Sequence, residues 1–122
     1  MGASSIPAKK RLGNHAENLA AVYLEMAGMT ILERNYRLGR QEVDILARMG
    51  NCLICVEVRL RRGDRCGQAA ESLTPRKRRA MREGLRLALR AKNWRGDFRL
   101  DLLALDWRAD GLGLSLEHYT GI

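Results

Sequence analysis

Two acidic residues stand in apolar segments of this sequence, where a charge is costly unless it is paired or binds a metal. Glu57 interrupts the apolar run over residues 52–60, and Asp44 lies between Val43 and Ile45. Neighbouring strands of a sheet lie about 4.8 Å apart, so the two carboxylates can converge at one sheet edge. Such a pair forms a hard oxygen site suited to magnesium or manganese, and the metal can orient water for attack on a phosphodiester.

Two neighbouring residues extend this site or compete with it. Glu42 precedes Asp44 by two residues, and strand alternation predicts both on one face, with Val43 and Ile45 together on the other. Arg59 follows Glu57 by two residues and is predicted to share its face. An ordinary ion pair is therefore the alternative to a metal site at Glu57.

A fourth acid, Glu17, belongs to the first predicted helix, which has Asn14 as its N-cap and ends at Gly28. Glu17 lies three residues after Asn14, the spacing of a capping box, which favours a purely structural role. It also flanks the apolar stripe of the helix, so the second interpretation is a carboxylate that faces the sheet.

The remaining elements follow from changes in hydrophobic period and from turn residues. Strands are predicted over residues 29–37, 40–48, 52–60, 97–106 and 112–119, with a polar loop over residues 61–73. The first three strands are antiparallel neighbours because their connections are too short for crossovers. Thr74 caps a second helix that has Pro75 in its first turn and ends near Asn93. The predicted order is αβββαβ(β), an α/β sheet with helices packed against it.

The second predicted helix carries a stripe of arginines at four-residue intervals. The stripe consists of Arg78, Arg82, Arg86 and Arg90. A solvated helix face usually mixes charges of both signs, whereas Glu83 is the only acid between residues 75 and 96. The stripe therefore favours binding to the phosphates of a nucleic acid, with an ordinary solvated face as the alternative.

Composition agrees with a polyanionic partner and excludes several classes of protein. The 122 residues carry a formal net charge of +8, which suits a nucleic acid. We expect one domain over residues 13–122 after a flexible basic arm over residues 1–12. No apolar run approaches the ~20 residues of a membrane span, so no membrane partner is expected. Three cysteines, an odd number, argue against a disulfide scaffold and favour the reducing cytoplasm.

Two further patterns carry little chemistry. Cys52 and Cys55 have the C-x-x-C spacing, but a three-residue offset on a strand places their sulfurs on opposite faces. Only one other cysteine is present, so there is no four-ligand zinc set. The two histidines, His15 and His118, are far apart in sequence and make a weak case for general-base chemistry.

Several short motifs occur in a fixed order between residues 13 and 119. They are Gly13-x-x-Ala16-Glu17-x-x-Ala20, Asn35-Tyr36-Arg37, Glu42-Val43-Asp44-Ile45, Val56-Glu57-Val58-Arg59-x-Arg61, Lys77, and Arg99-Leu100-Asp101. With these motifs the sequence resembles the YraN-like family of small bacterial proteins. That family is related to archaeal Holliday-junction resolvases within the PD-(D/E)XK nuclease superfamily.

The resemblance implies a restriction-endonuclease-like αβββαβ core with a mixed central sheet, and a magnesium or manganese site. Asp44 and Glu57 would be the metal-binding carboxylates, with Glu17 as an accessory helix acid that faces inward and Glu42 nearby. Related resolvases act as dimers, so a homodimer is a further expectation. Arg59 stands where the family's catalytic lysine is usual.

The sequence departs from the family pattern most clearly at Arg59. Arginine stabilises charge but stays protonated, so it cannot serve as a base. Lys77 on the second helix is a candidate substitute for the lysine, and Arg61 and Lys77 join the arginine stripe as predicted nucleic-acid contacts. Gln41 also stands where a glycine is usual.

Three hypotheses for function remain open. The first is a metal-dependent endonuclease that acts on DNA rather than RNA, including branched DNA in repair or recombination. The second is a catalytically inactive nucleic-acid-binding module on a degenerate nuclease fold. The third is an assembly protein whose arginines meet an acidic protein surface. Divalent-metal binding and salt-sensitive DNA binding separate the three.

Overall fold

The computed structural model describes residues 8–62, 73–107 and 113–122. Its elements are α1 (Ala8–Met26), β1 (Thr30–Leu38), β2 (Gln41–Met49), β3 (Cys52–Arg62), α2 (Pro75–Ala91), β4 (Asp97–Trp107) and β5 (Leu114–Thr120). The predicted order of helices and strands is confirmed. In these ranges neither helix is long and apolar enough to cross a membrane.

The five strands form one mixed sheet in the order β1-β2-β3-β4-β5. The first three strands pair antiparallel, as their short connections predicted. The pairing of β3 with β4 is parallel, with α2 between them in the chain, and β5 returns antiparallel to β4. The fold is therefore α/β with an αβββαβ core, and the predicted fold class is confirmed.

Each face of the sheet is covered by one helix. The α1 side packs Ala16, Ala20 and Leu24 against Ile45, Ile54, Val56, Leu103 and Leu105. The α2 side packs Leu85 and Ala88 against Val43, Leu46, Leu53, Cys55 and Leu100. Residues 53–56 of β3 are buried between the two helices, and the first five residues of the strand are apolar, so Glu57 is its first charged residue. Cys52 and Cys55 belong to opposite faces, as predicted.

The start of α1 differs from the sequence prediction. The helix begins at Ala8, so the predicted N-cap at Asn14 is wrong, and Glu17 lies beyond the first turn rather than in a capping box. The segment before Asn14 reads Ala-Lys-Lys-Arg-Leu-Gly, whose first five residues all favour helix, so the helix extends past the expected start. Residues 8–12 of the predicted arm are thus helical, and residues 1–7 lie outside those described.

The start of α2 agrees with its sequence signals. The Thr74 side chain accepts a hydrogen bond from the Lys77 backbone N–H at 3.0 Å, and Pro75 occupies the first turn. In the middle of the helix, Gly84 lies against β2, where an added Cβ would approach Val43 Cγ2 to 3.3 Å. The absence of a side chain at Gly84 allows α2 to lie close to the strand that carries Asp44.

The alternation of β2 breaks at Asp44, contrary to the prediction that Val43 and Ile45 share a face. Val43 packs on the α2 side and Ile45 on the α1 side. Opposite Asp44 on β1, Asn35 adopts a left-handed conformation with φ 49°, between the pairs Arg34↔Ile45 and Tyr36↔Val43. Asparagine tolerates this region better than most residues. The two strands therefore change face together at this point.

Candidate functional site

Asp44 lies where β2 separates from β3. The pairing of these strands runs from Met49↔Cys52 to Ile45↔Val56 and includes no pair beyond that point. In its place, the Val58 backbone N–H donates a hydrogen bond to Asp44 Oδ2 at 2.9 Å. The carboxylate substitutes for a backbone acceptor, which satisfies the strand and fixes the orientation of the side chain.

Glu57 lies on the α2 face of β3, because it follows Leu53 and Cys55 of the α2-side core at a spacing of two residues. Its side chain is only 13% exposed, and Lys77 Nζ lies 3.1 Å from its Oε2 atom. The first turn of α2 thus places a cation directly on this carboxylate.

Both carboxylates line one cleft between the sheet and α2. The cleft is lined by Gln41, Glu42, Val43, Asp44, Cys55, Val56, Glu57, Lys77, Ala80, Met81, Gly84 and Leu100. The predicted convergence of the carboxylates of Asp44 and Glu57 is therefore present in the structure, and Lys77 reaches the same place.

The electrostatics of the cleft keep Asp44 partly protonated near neutral pH. Burial and the negative charge of Glu57 raise the pKa of Asp44 from 3.8 to about 7, and the charge of Glu17 adds to the rise. The hydrogen bond from Val58 and the charge of Lys77 act in the opposite direction. A cation placed between the carboxylates would relieve this repulsion.

The other two predicted acids lie at the edges of this arrangement. Glu17 Oε1 lies 3.9 Å from Arg34 Nη2, and its effect on the pKa of Asp44 agrees with an inward-facing carboxylate. Glu42 lines the cleft, but its carboxylate pairs with Arg37 at 3.3 Å and is 41% exposed. Within the described ranges, no three His, Cys, Asp or Glu side chains group closely enough to hold a metal, so these two acids do not complete a ligand cluster.

The donor set of the cleft nevertheless fits magnesium or manganese. Magnesium is usually held through one or two carboxylates, with water and substrate phosphate oxygens as the remaining ligands. Asp44 and Glu57 supply two hard oxygen donors in a partly buried cleft, and α2 lines the same cleft with Lys77. The chemistry of the donors therefore supports a site that is completed by substrate.

Of the predicted basic residues at the site, Arg59 lies on the same strand face as Glu57, at the position paired with Ala104 of β4. The resemblance implied a lysine at this position, and in this structure the lysine ammonium beside Glu57 comes from Lys77 on α2. The side chain of Arg61, a predicted nucleic-acid contact, lies outside those that the structure describes.

The four arginines of the α2 stripe differ in their exposure and in their contacts within the protein. Arg82 and Arg90 are exposed, and the charge of Arg90 contributes to a lowered pKa of Glu83. Arg86 donates through Nε and Nη2 to the carboxylate of Glu83, and these hydrogen bonds lower the pKa of Glu83. Arg78 is partly buried in a recess near the end of the chain. Of the four arginines, Arg82 and Arg90 are therefore the best placed to meet an external anion.

Sequence reasoning missed a buried polar group that we call the Asp101 cluster: Tyr23, Arg99, Asp101 and His118. Asp101 is fully buried and receives two hydrogen bonds from Arg99, at 2.9 and 3.0 Å. His118 Nε2 lies 2.8 Å from the same carboxylate, and the Tyr23 hydroxyl lies 3.1 Å from His118 Nδ1. The group connects α1, β4 and β5. The sequence signals were the Arg99-Leu100-Asp101 motif and a weak one from His118, because the members of the cluster come from distant parts of the chain.

Comparison with known proteins identifies a family and several relatives that this chain resembles in sequence. Residues 16–105 match the family model described as "Uncharacterised protein family UPF0102". The chain is 38% identical over 113 residues to a UPF0102 protein of Pelotomaculum thermopropionicum, a match that covers 92% of this chain and 94% of that one.

Other relatives match over a shorter region. A UPF0102 protein of Acidothermus cellulolyticus is 46% identical over 81 residues, which are 66% of this chain and 61% of that protein. One from Rhodococcus opacus is 49% identical over 71 residues, which are 58% of this chain and 60% of that protein. The chain thus spans less than two thirds of the length of these two relatives.

Proposed function

This chain belongs to the uncharacterised protein family UPF0102, and from that premise and its carboxylate cleft we propose that it is a metal-dependent endonuclease-like protein acting on DNA in the cytoplasm. The family membership confirms the resemblance to the YraN-like family that the motifs indicated. The observation that carries the proposal is the pair of carboxylates, Asp44 and Glu57, in one cleft beside the first turn of α2.

The residues of the cleft have separate roles in this proposal. Asp44 and Glu57 would hold a magnesium or manganese ion, which would supply Lewis-acid stabilisation of a phosphodiester group. The backbone N–H of Val58 fixes the Asp44 carboxylate, so the donor atom is oriented before substrate arrives. Glu17 adds negative charge near Asp44, which favours a divalent cation over a monovalent one.

The surface of α2 supports binding of nucleic acid next to the cleft. Its first turn has no acidic residue, although acids are favoured at the positive end of the helix dipole, and it carries Arg76, Lys77 and Arg78 instead. That combination suits the phosphate backbone. The exposed guanidinium groups of Arg82 and Arg90 extend the basic surface along the helix.

Cleavage of DNA is the direct test. The purified protein is incubated with branched and linear DNA duplexes in magnesium, in manganese and in EDTA, beside Asp44→Ala and Glu57→Gln. We expect cleavage only with divalent metal and none with either variant. Glu83→Gln is the matched control, because it removes a carboxylate from α2 that pairs with Arg86 outside the cleft, and it should cleave normally. Cleavage that survives Asp44→Ala would contradict the proposal.

The second candidate function is a nucleic-acid-binding module without turnover, and Arg59 is the observation that favours it. An arginine at this position stays protonated and cannot act as a base. This candidate predicts salt-sensitive DNA binding with no cleavage in any metal. Arg82→Glu and Arg90→Glu should each weaken binding, whereas Arg48→Glu, the same charge reversal on an exposed residue of β2, should not. Binding indifferent to salt and to these changes would contradict both candidates.

A further inference from the structure

The ion pair between Lys77 and Glu57 joins an enclosed anion to an accessible cation. The Glu57 side chain is 13% exposed, while that of Lys77 is 39% exposed, and their charged atoms lie 3.1 Å apart. Lys77 approaches from α2, whereas Glu57 belongs to the centre of the sheet. The Lys77 side chain is therefore the more accessible partner and can leave this contact without unfolding any element.

We propose that Lys77 is an exchangeable cation: it neutralises Glu57 when no divalent ion is present, and it transfers to a DNA phosphate when the ion binds. This inference rests on the proposed function, because it assumes that Asp44 and Glu57 hold a metal. It assigns to Lys77 a role as a substrate contact that is coupled to metal occupancy.

Charge is the first reason for an exchange. Glu57 and Asp44 line the same cleft, and the Lys77 ammonium lies 3.1 Å from Glu57 Oε2, so its positive charge offsets part of the repulsion between the two carboxylates. A divalent ion between the carboxylates would offset it more completely and would repel an ammonium group about 3 Å from Glu57. The ion and Lys77 therefore compete for the same negative charge.

Position is the second reason. The Lys77 backbone N–H is held by Thr74 at the start of α2, so the residue stays in the first turn while its flexible stem moves. A lysine released from Glu57 would lie at the positive end of the helix dipole, which is unfavourable without an anion. A phosphate at the helix start supplies that anion. Metal binding and phosphate binding are thus coupled through one side chain.

Manganese affinity tests the first half of the proposal. Binding of manganese chloride to the wild-type chain and to Lys77→Met is measured by titration calorimetry at low ionic strength. We expect affinity about tenfold higher in Lys77→Met, since the competing cation is gone. Lys92→Met is the matched control, because Lys92 caps the opposite, C-terminal end of α2 and pairs with Glu33 away from the cleft. Its manganese affinity should equal that of wild type.

Salt dependence of DNA binding tests the second half. The slope of log affinity against log salt is measured for a duplex in calcium, and again in EDTA. Loss of one phosphate contact lowers the slope by about 0.9. We expect the slope of Lys77→Met to be lower than that of wild type by this amount in calcium. In EDTA the two slopes should be equal, because Lys77 of the wild-type chain then stays paired with Glu57. Lys77→Gln serves as a second substitution, and thermal unfolding verifies that both variants are folded.

The outcomes separate this inference from the proposed function. If the wild-type chain binds manganese and Lys77→Met binds it with equal or lower affinity, the exchange is overturned but the metal site remains. A slope that falls equally in calcium and in EDTA would also overturn it, since Lys77 would then contact phosphate regardless of the metal. No manganese binding to wild type would overturn both.

Discussion

Replacing Asp44 by asparagine should stabilise the metal-free protein at neutral and alkaline pH. The carboxylate is partly buried beside Glu57, so its negative charge is unfavourable in the folded chain, and its pKa rises from 3.8 to about 7. Asparagine removes the charge and keeps an oxygen that can accept the hydrogen bond from the Val58 N–H. A residue that destabilises the empty protein is typical of a binding site rather than of a structural ion pair.

The sign and size of the effect follow from proton linkage. Because the pKa is raised in the folded state, the folded chain holds more protons than the unfolded chain between pH 3.8 and about 7, and stability falls as pH rises through that window. At 1.36 kcal/mol per pH unit, the full loss is roughly 4 kcal/mol above pH 7. More than half of it develops between pH 5 and pH 8. Asp44→Asn has no such dependence, so its advantage over wild type grows across this range.

Urea unfolding followed by circular dichroism, at pH 5 and at pH 8 in EDTA, measures the difference. Glu42→Gln is the control, because that carboxylate also lines the cleft but is 41% exposed and paired with Arg37. It should show no pH-dependent gain. An Asp44→Asn variant that is no more stable than wild type at pH 8, or that gains equally at both pH values, would show that the charge of Asp44 does not destabilise the folded chain.

Three further substitutions test other features of the fold, each by thermal or urea unfolding. Asp101→Ala leaves the donors of the Asp101 cluster without an acceptor in the interior and should cost about 3–5 kcal/mol; a loss under 1 kcal/mol would contradict the role of the cluster. Gly96, which directly precedes β4, lies against Asn51 in the turn between β2 and β3. Gly96→Ala would bring a Cβ within 2.4 Å of the Asn51 carbonyl oxygen and should cost about 1–3 kcal/mol; full stability would show that this β2–β3 turn adjusts freely. Asn35→Val should cost about 1–2 kcal/mol in its left-handed position, while Asn35→Gly should not; equal effects of the two would contradict backbone strain as the cause.

Local signals predicted most of the elements. The end of α1 and the start of α2 were recognised from Gly28, Thr74 and Pro75, because capping and turn preferences act within a few residues. The strands were recognised from alternation and from the apolar character of β3. The start of α1 was missed because Asn14 is a good cap residue, while the residues before it also favour helix.

The geometry of the site depends on contacts between distant segments, and only some of these contacts were predictable from the sequence. The convergence of Asp44 and Glu57 was predictable because adjacent antiparallel strands carry them. The change of face at Asp44 was not, since it accompanies Asn35 on the neighbouring strand and the end of pairing with β3. The contact of Lys77 with Glu57 depends on how α2 crosses the sheet, which no local pattern encodes.

The Asp101 cluster was even less predictable, because its members come from distant parts of the chain. His118 gave a weak signal in the sequence, yet the structure places it against a fully buried carboxylate, 17 residues away in the chain. Tyr23 joins it from α1, 95 residues away from His118. Such a group becomes recognisable only when the strand order β3-β4-β5 and the face covered by α1 are known.

Manganese binding is the decisive measurement for the proposed metal site at Asp44 and Glu57. Titration calorimetry of the wild-type chain at pH 7.5 should show saturable binding of manganese, and both Asp44→Asn and Glu57→Gln should abolish it or weaken it by at least tenfold. Glu42→Gln should bind as wild type does. Absence of binding to the wild-type chain, or binding that is unchanged in Asp44→Asn and Glu57→Gln, would contradict the assignment of this cleft as a metal site.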